Sequence, residues 1–263
     1  MTRIYQAITT LQNNHEAGAL CTIIESSGST PRHEGSKLLV YEDGHFIGTV
    51  GGGELESRVI EEARSAIQDG KSRKLEYNMV NPQRGDPGIC GGTVEVYVEP
   101  ILPEPLLVVI GGGHVGKAVV HLAKWLGFRV AVSDDRIEFS SQEANPEADE
   151  FFPVAMADLP RHLKFNSRTY VVLTTRGAVL DIAGLPELLN QPFAYLGIIG
   201  SRRRWTVTRN AMKEKGVSEE MLARVHSPMG LELNAETPEE IAVSILAEII
   251  MLRNGGTGVS MKA

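Results

Sequence analysis

Apolar residues recur at helical spacing over residues 2–13, which predicts an opening helix. The run ALCTIIE that follows reads as a strand, and two shorter strands are expected around residues 38–41 and 46–48, with Asp43-Gly44 as the hairpin turn. After Gly51-Gly52-Gly53, the positions Leu55, Val59, Ile60, Ala63 and Ile67 return to helical spacing, and Gly70 suits a C-cap. A further strand is expected at residues 94–98, after which Pro100, Pro103 and Pro105 interrupt regular structure. Two domains meet there, a smaller mixed α/β domain over residues 1–102 and a second over residues 103–263.

The second domain opens with LLVVI, a short continuous apolar run of the kind a buried parallel strand needs. Val115, Ala118, Val119, Leu122, Ala123 and Leu126 mark one face of the next helix, which Gly127 ends, and a strand follows at residues 129–133. YVVL and AYLGII then alternate with helical segments near residues 181–190 and 202–215, the βαβ rhythm of a parallel sheet. Between Arg136 and Glu150 the pattern is weak. The last helix starts at Thr237-Pro238-Glu239-Glu240, where Thr can cap, Pro suits the first turn and Glu can close a capping box; Gly255-Gly256 ends it. The fold class is α/β, with a C-terminal Rossmann-type parallel sheet behind the mixed N-terminal domain.

Composition narrows the function. At 263 residues and 42% hydrophobic content the chain can build two cores, and a net charge of -7 disfavours nonspecific nucleic-acid binding, which depends on neutralising phosphates. Its N-terminus carries no apolar signal-peptide core, and no run approaches the roughly 18 apolar residues of a spanning helix, so a cytoplasmic protein without a membrane segment is expected. Two cysteines, Cys21 and Cys90, offer at most one bridge and no four-ligand zinc spacing, so no metal site is expected.

Candidate chemistry gathers at glycine-rich turns. Gly111-Gly112-Gly113-His114-Val115-Gly116 follows a strand, opens a helix, and precedes Asp134 and Asp135 at the end of the next strand. In that context Gly111 permits the turn, Gly113 lets a pyrophosphate approach and Gly116 allows close helix packing, while Asp134 or Asp135 would hold a ribose hydroxyl. Arg136 leaves the choice of NAD or NADP open. Three strand-end loops, at residues 111–116, 174–177 and 200–204, are expected at one crevice, where Arg176, Arg202 and Arg203 would offer donors to phosphate or carboxylate; the arginines also read as solvated surface or partners of carboxylates. Cys90, in Gly88-Ile89-Cys90-Gly91-Gly92, is the candidate reactive thiol, although it reads equally as a small buried hydrophobe; Cys21 reads as one far more strongly. His114 and His226 could each act as acid or base, although a histidine with no visible partner also reads as structural.

The motifs GSTPR, GTVGGGELE, CGGTVEVYVEP, GGGHVG, DDRIE, GIIGSRRR and AETPEEIAVSILAEII, in this order over nearly the whole chain, resemble the XdhC/CoxI maturation factors of molybdenum hydroxylases. The resemblance implies a cytoplasmic accessory protein, a homodimer. It implies binding of molybdenum cofactor, as molybdopterin or its dinucleotide form, and support for sulfuration and insertion into a xanthine dehydrogenase-type client, with a cysteine desulfurase as sulfur donor. On this reading the Rossmann crevice grips the phosphate or nucleotide part of the cofactor, the Gly51-Gly52-Gly53 loop also takes part, and Cys90 approaches the molybdenum end, with an interdomain cleft as the expected site. Family members usually carry His where this chain has Ala178, so a catalytic imidazole is not expected there, and Ile-Gly where it has Leu233-Asn234, where a different local turn is expected. With two cysteines the chain cannot ligate the iron–sulfur clusters of a complete hydroxylase. An NAD(P)-dependent oxidoreductase using the same crevice is the alternative, with only His114 and His226 as acid or base.

Overall fold

The computed structural model describes residues 2–79 and 91–262. Cys90, the candidate thiol, lies outside the described residues. The chain divides into two compact units, Met1–Pro103 and Glu104–Ala263.

The first unit runs α1 (Thr2–Asn13), β1 (Gly18–Ser27), β2 (Lys37–Tyr41), β3 (Phe46–Gly48), α2 (Gly53–Asp69), β4 (Arg73–Asn78) and β5 (Thr93–Ile101). Its strands form an antiparallel sheet in the order β3-β2-β1-β5-β4. Alternation along β1 places Ala19, Cys21 and Ile23 on the face that meets Leu55, Val59 and Ala63 of α2, while in β2 Leu38, Leu39 and Val40 are all buried. Gly44 adopts φ 90° in the hairpin turn, and Gly70 ends α2 in the left-handed conformation. Cys21 is completely buried, which pushes its thiol pKa up to about 12 and makes it a packing group.

The second unit runs β6 (Leu106–Ile110), α3 (His114–Trp125), β7 (Arg129–Ser133), β8 (Glu150–Phe152), β9 (Thr169–Leu173), α4 (Ala178–Leu189), β10 (Tyr195–Ile198), α5 (Arg202–Glu214), α6 (Glu219–Ala223), β11 (Val225–His226) and α7 (Pro238–Asn254). All six strands are parallel, in the order β11-β10-β9-β6-β7-β8. Counting from β6, this is the 3-2-1-4-5-6 order of the doubly wound dinucleotide fold, with the direction of winding reversing between β6 and β9.

Successive residues of β6 point to opposite layers. Leu106, Val108 and Ile110 pack with Leu185 and Leu188 of α4 and Met212 of α5; Leu107 and Val109 pack with Val119 of α3 and Ile245 of α7. A strand covered on both faces has no polar position to spare, which is why LLVVI is continuous. Thr237 and Glu240 form the reciprocal capping box at the start of α7. Among the described residues no helix is long and apolar enough to cross a membrane.

Candidate functional site

The reversal of winding opens a crevice at the carboxyl ends of β6 and β9, where a ligand can reach backbone that no crossover covers. A cavity of about 170 Å³ lies there. Its walls come from the turn after β6 (Gly111, Gly113), the end of β7 (Asp134, Asp135, Arg136), the segment after β8 (residues 154–157), the turn after β9 (residues 174–176) and α4 (Leu180, Ala183, Gly184). Charged groups and apolar groups thus share the lining, which suits a ligand with a polar and an apolar part.

The glycines allow this closeness. Gly111 has φ 110°, and a Cβ on Gly116 would lie 2.0 Å from the Gly111 carbonyl oxygen, so α3 packs directly on the turn. A Cβ on Gly113 would meet nothing within 4 Å, so the N-terminus of α3 is open to an approaching group. His114, the first residue of that helix, is exposed and lines a separate groove between α3 and α7.

Asp134 and Asp135 differ sharply. Asp134 is buried and accepts from the Gly112 N–H at 3.1 Å and from Arg136 through its backbone N, Nε and Nη2, each at 3.0 Å. Burial alone would raise its pKa, but the hydrogen bonds and charge of Arg136, helped by Gly112, outweigh that and hold the carboxyl below the ordinary aspartate range. Arg136 also lies over the Phe139 ring, 3.8 Å from its centroid. Asp135 faces Arg176 instead, whose Nη2 donates to both carboxylate oxygens at 3.0 Å, an ion pair joining the ends of β7 and β9.

The third loop is placed differently from the crevice expected of it. Residues 200–204 are not among those lining the cavity, and Arg202 and Arg203 are exposed on the first turn of α5. It is Arg204 that reaches back: Nε donates to Asp181 Oδ2 at 2.8 Å, Nη2 to Oδ1 at 3.0 Å, and Nη1 to the Thr175 carbonyl at 3.1 Å. The loop thus braces the turn after β9 from behind.

His226 has a partner that its sequence context hides. Its Nδ1 lies 3.5 Å from Glu248 Oε1, and its ring stacks on Tyr195 at 4.7 Å. Glu248 Oε2 accepts from the Tyr195 hydroxyl at 2.6 Å and from the Gly230 N–H at 2.8 Å. Burial would raise the Glu248 pKa, yet these donors and His226 bring it below the usual glutamate value; burial and the neighbouring carboxylate drive the Tyr195 phenol far upward.

In the first unit, Gly51, Gly52 and Gly53 all have positive φ and lead into α2 without a side-chain cap. A Cβ on Gly52 or Gly53 would meet nothing within 4 Å, so their requirement is conformational, and the loop surface is open. Asn234 has φ 51°, the left-handed region that glycine enters freely and asparagine tolerates, so the Leu233-Asn234 replacement accommodates a glycine-type turn. Among the described residues no three His, Cys, Asp or Glu side chains gather to hold a metal ion.

Residues 107–249 match the model of the XdhC Rossmann domain, and residues 11–78 match that of the XdhC and CoxI family. The chain is 37% identical over 261 residues to the uncharacterized protein YqeB of Escherichia coli (strain K12), covering 97% of this chain and 47% of that protein. It is 30% identical over 161 residues to a protein of Bacillus subtilis (strain 168) named as a probable xanthine dehydrogenase subunit, covering 61% of this chain and 47% of that one. It thus spans about half the length of these two relatives. A third, the molybdenum cofactor insertion chaperone PaoD of Escherichia coli (strain K12), is 25% identical over 273 residues, covering 90% of this chain and 84% of PaoD. A Bacillus halodurans crystal structure described as a xanthine dehydrogenase shares the fold, with a TM-score of 0.52 at 24% identity over 96% of each chain. With its parallel sheet, switch-point cavity and matched segments, the chain belongs to the XdhC and CoxI family.

Proposed function

We propose that this protein is a maturation factor that takes up molybdenum cofactor and delivers it to a xanthine dehydrogenase-type molybdenum hydroxylase. The observation that carries the reading is the switch-point cavity, where the open N-terminus of α3 and the Arg176 guanidinium stand beside small apolar walls. Those residues fit the phosphate and heterocycle of a nucleotide-like ligand, and a cavity of about 170 Å³ takes one end of a dinucleotide. The likeness to PaoD, named as a molybdenum cofactor insertion chaperone, supports the same direction. When bound, the cofactor carries the molybdenum chemistry of the client; this chain's residues hold and orient it.

On this reading Gly111, Gly113 and Gly116 shape the anion site, and Asp134, Asp135, Arg136 and Arg176 surround it, while His114 stands on the neighbouring groove between α3 and α7. Arg202 and Arg203 extend the positive edge, and the Gly51-Gly52-Gly53 loop admits close backbone contact. Cys90 is the thiol proposed to support sulfuration, with a cysteine desulfurase as donor, in a cytoplasmic homodimer. The test is uptake: the full chain, incubated with molybdenum cofactor and separated by gel filtration, carries molybdenum in stoichiometric amount and activates a cofactor-free client. Absence of co-eluting molybdenum would overturn the proposal. Cys90→Ala should retain uptake and lose activation.

One observation favours the NAD(P)-dependent oxidoreductase: His226 is oriented by Glu248, the arrangement an acid–base catalyst needs. His226 does not line the cavity, which ranks this reading second. Calorimetry with NAD, NADP, CTP and molybdenum cofactor separates the two.

A further inference from the structure

Successive peptide groups of the glycine turn after β6 are secured in different ways. Between Ile110 and Gly111 the carbonyl accepts from the Thr174 N–H at 2.9 Å and the N–H donates to the Ser133 carbonyl at 2.8 Å. Between Gly111 and Gly112 the carbonyl accepts from the Thr174 hydroxyl at 2.6 Å and the N–H donates to Asp134 Oδ2 at 3.1 Å. The next peptide is held at one end only. Its carbonyl, that of Gly112, accepts from Asn145 Nδ2 at 3.3 Å, while among the described residues nothing engages the Gly113 N–H. Asn145 is 1% exposed and comes from the irregular segment after β7. Its Nδ2 also donates to the Phe139 carbonyl at 2.8 Å, so both amide hydrogens go to carbonyls and the orientation of the amide is fixed. Its Oδ1 is buried without a partner, which disfavours folding, so the side chain is kept for its donors at the expense of its acceptor. A Cβ on Gly112 would lie 2.0 Å from the Phe139 carbonyl oxygen and 3.0 Å from Asn145 Nδ2, so the turn fits against this segment only as glycine.

Resting on the nucleotide reading of the cavity, we propose that Asn145 is a positioning residue of that site: by holding the Gly112 carbonyl, it turns the Gly113 N–H toward the bound phosphate. In a trans peptide the carbonyl and the following N–H point in opposite directions, so a bond that fixes one aims the other. Asn145 lines the groove between α3 and α7, whereas Gly113 lines the switch-point cavity, so the carbonyl is drawn away from the cavity and the N–H is left on its side. There it joins the N–H groups of His114, Val115 and Gly116, which the first turn of α3 leaves without helical partners and no side chain caps. One buried amide thus extends the donor set of the anion site and holds the added donor in place before a ligand arrives.

The test is calorimetric titration of the full chain with ADP and CDP, alongside Asn145→Leu, Gly113→Pro and the double variant. Leucine keeps the size of the side chain and removes both donors. Proline suits the Gly113 φ of -72° and deletes the N–H, at a position where a Cβ meets nothing within 4 Å. Each single variant should weaken nucleotide binding roughly tenfold or more, the scale of a hydrogen bond to a charged group, and the double variant should bind no worse than the weaker single one, because both act on one N–H. Effects that add in the double variant, or affinity retained in either single variant, would overturn the assignment while leaving the cavity a nucleotide site. In the isotope-labelled unmutated chain, the Gly113 amide proton resonance should move downfield on saturation with ADP; a resonance that stays in place overturns the assignment even where Asn145→Leu does not fold. If neither nucleotide binds the unmutated chain, the nucleotide reading itself fails and the assignment falls with it.

Discussion

Across the parallel sheet, the β6–β7 side and the β9–β11 side use the same ingredients, a carboxylate facing an arginine or histidine, and differ in what each leaves over. Behind β9, Asp181 is wholly buried and its two oxygens are engaged by Arg204 and the Thr175 hydroxyl. Beside β10, Glu248 is 13% exposed and serves Tyr195, Gly230 and His226 together. At the end of β7, Asp135 remains nearly half exposed, paired with the half-exposed Arg176 and, at 4.0 Å, with Arg136. Burial converts an ion pair into scaffold, because an unpaired charge there would be too costly; exposure leaves it exchangeable and so available to a ligand.

Breaking the closed side should give the largest effect. Asp181→Ala strands Arg204 in a half-buried site, and about 3–5 kcal/mol of stability should be lost in urea denaturation. Asp181→Ala combined with Arg204→Met should recover part of that, since it removes the orphaned charge. If Asp181→Ala costs no more than an exposed substitution, the contrast between the two sides is wrong.

A smaller effect separates the sides by pH. The folded-state pKa of Glu248 is depressed, so its contribution to stability is fully present above the unfolded glutamate value of about 4.3 and is lost as pH falls through the lower folded value. Glu248→Gln should cost about 1–2 kcal/mol at neutral pH and flatten the fall in stability on acidification. His226 and Tyr195 face this carboxylate and stay in place in the variant, so the change in slope reports Glu248 itself. An unchanged acid slope would show that the network carries no linked charge.

The same contrast explains what was legible in the sequence. Strand β6, helix α3 and strand β7 announce themselves because continuous apolar runs and a glycine turn are local signals. Strand β4 gives no such signal: RKLEYN alternates charged and apolar residues, half-buried at best, and looks like surface. Strand β8 has three residues and β11 two, too short for any period to show. The partners of Glu248 are 18, 22 and 53 residues away, and only the tertiary fold brings them together. In the run Arg202-Arg203-Arg204, composition cannot say which guanidinium turns inward. That depends on the rotation of α5 against Asp181, a tertiary fact.

That rotation leaves Arg202 and Arg203 outside, and the smallest stability effect sharpens the functional side of the comparison. The double variant Arg202→Ala/Arg203→Ala should change stability by no more than about 0.5 kcal/mol, as exposed positions do, because Arg204 alone braces the loop. Its ligand consequence is separable. If the anionic part of the cofactor runs from the α3 N-terminus along the sheet edge to α5, uptake should fall several-fold and its dependence on salt should weaken, since two cations have left the path. If uptake and salt dependence are both unchanged, the positive edge ends at Arg176, and these two arginines belong to the solvated surface of α5.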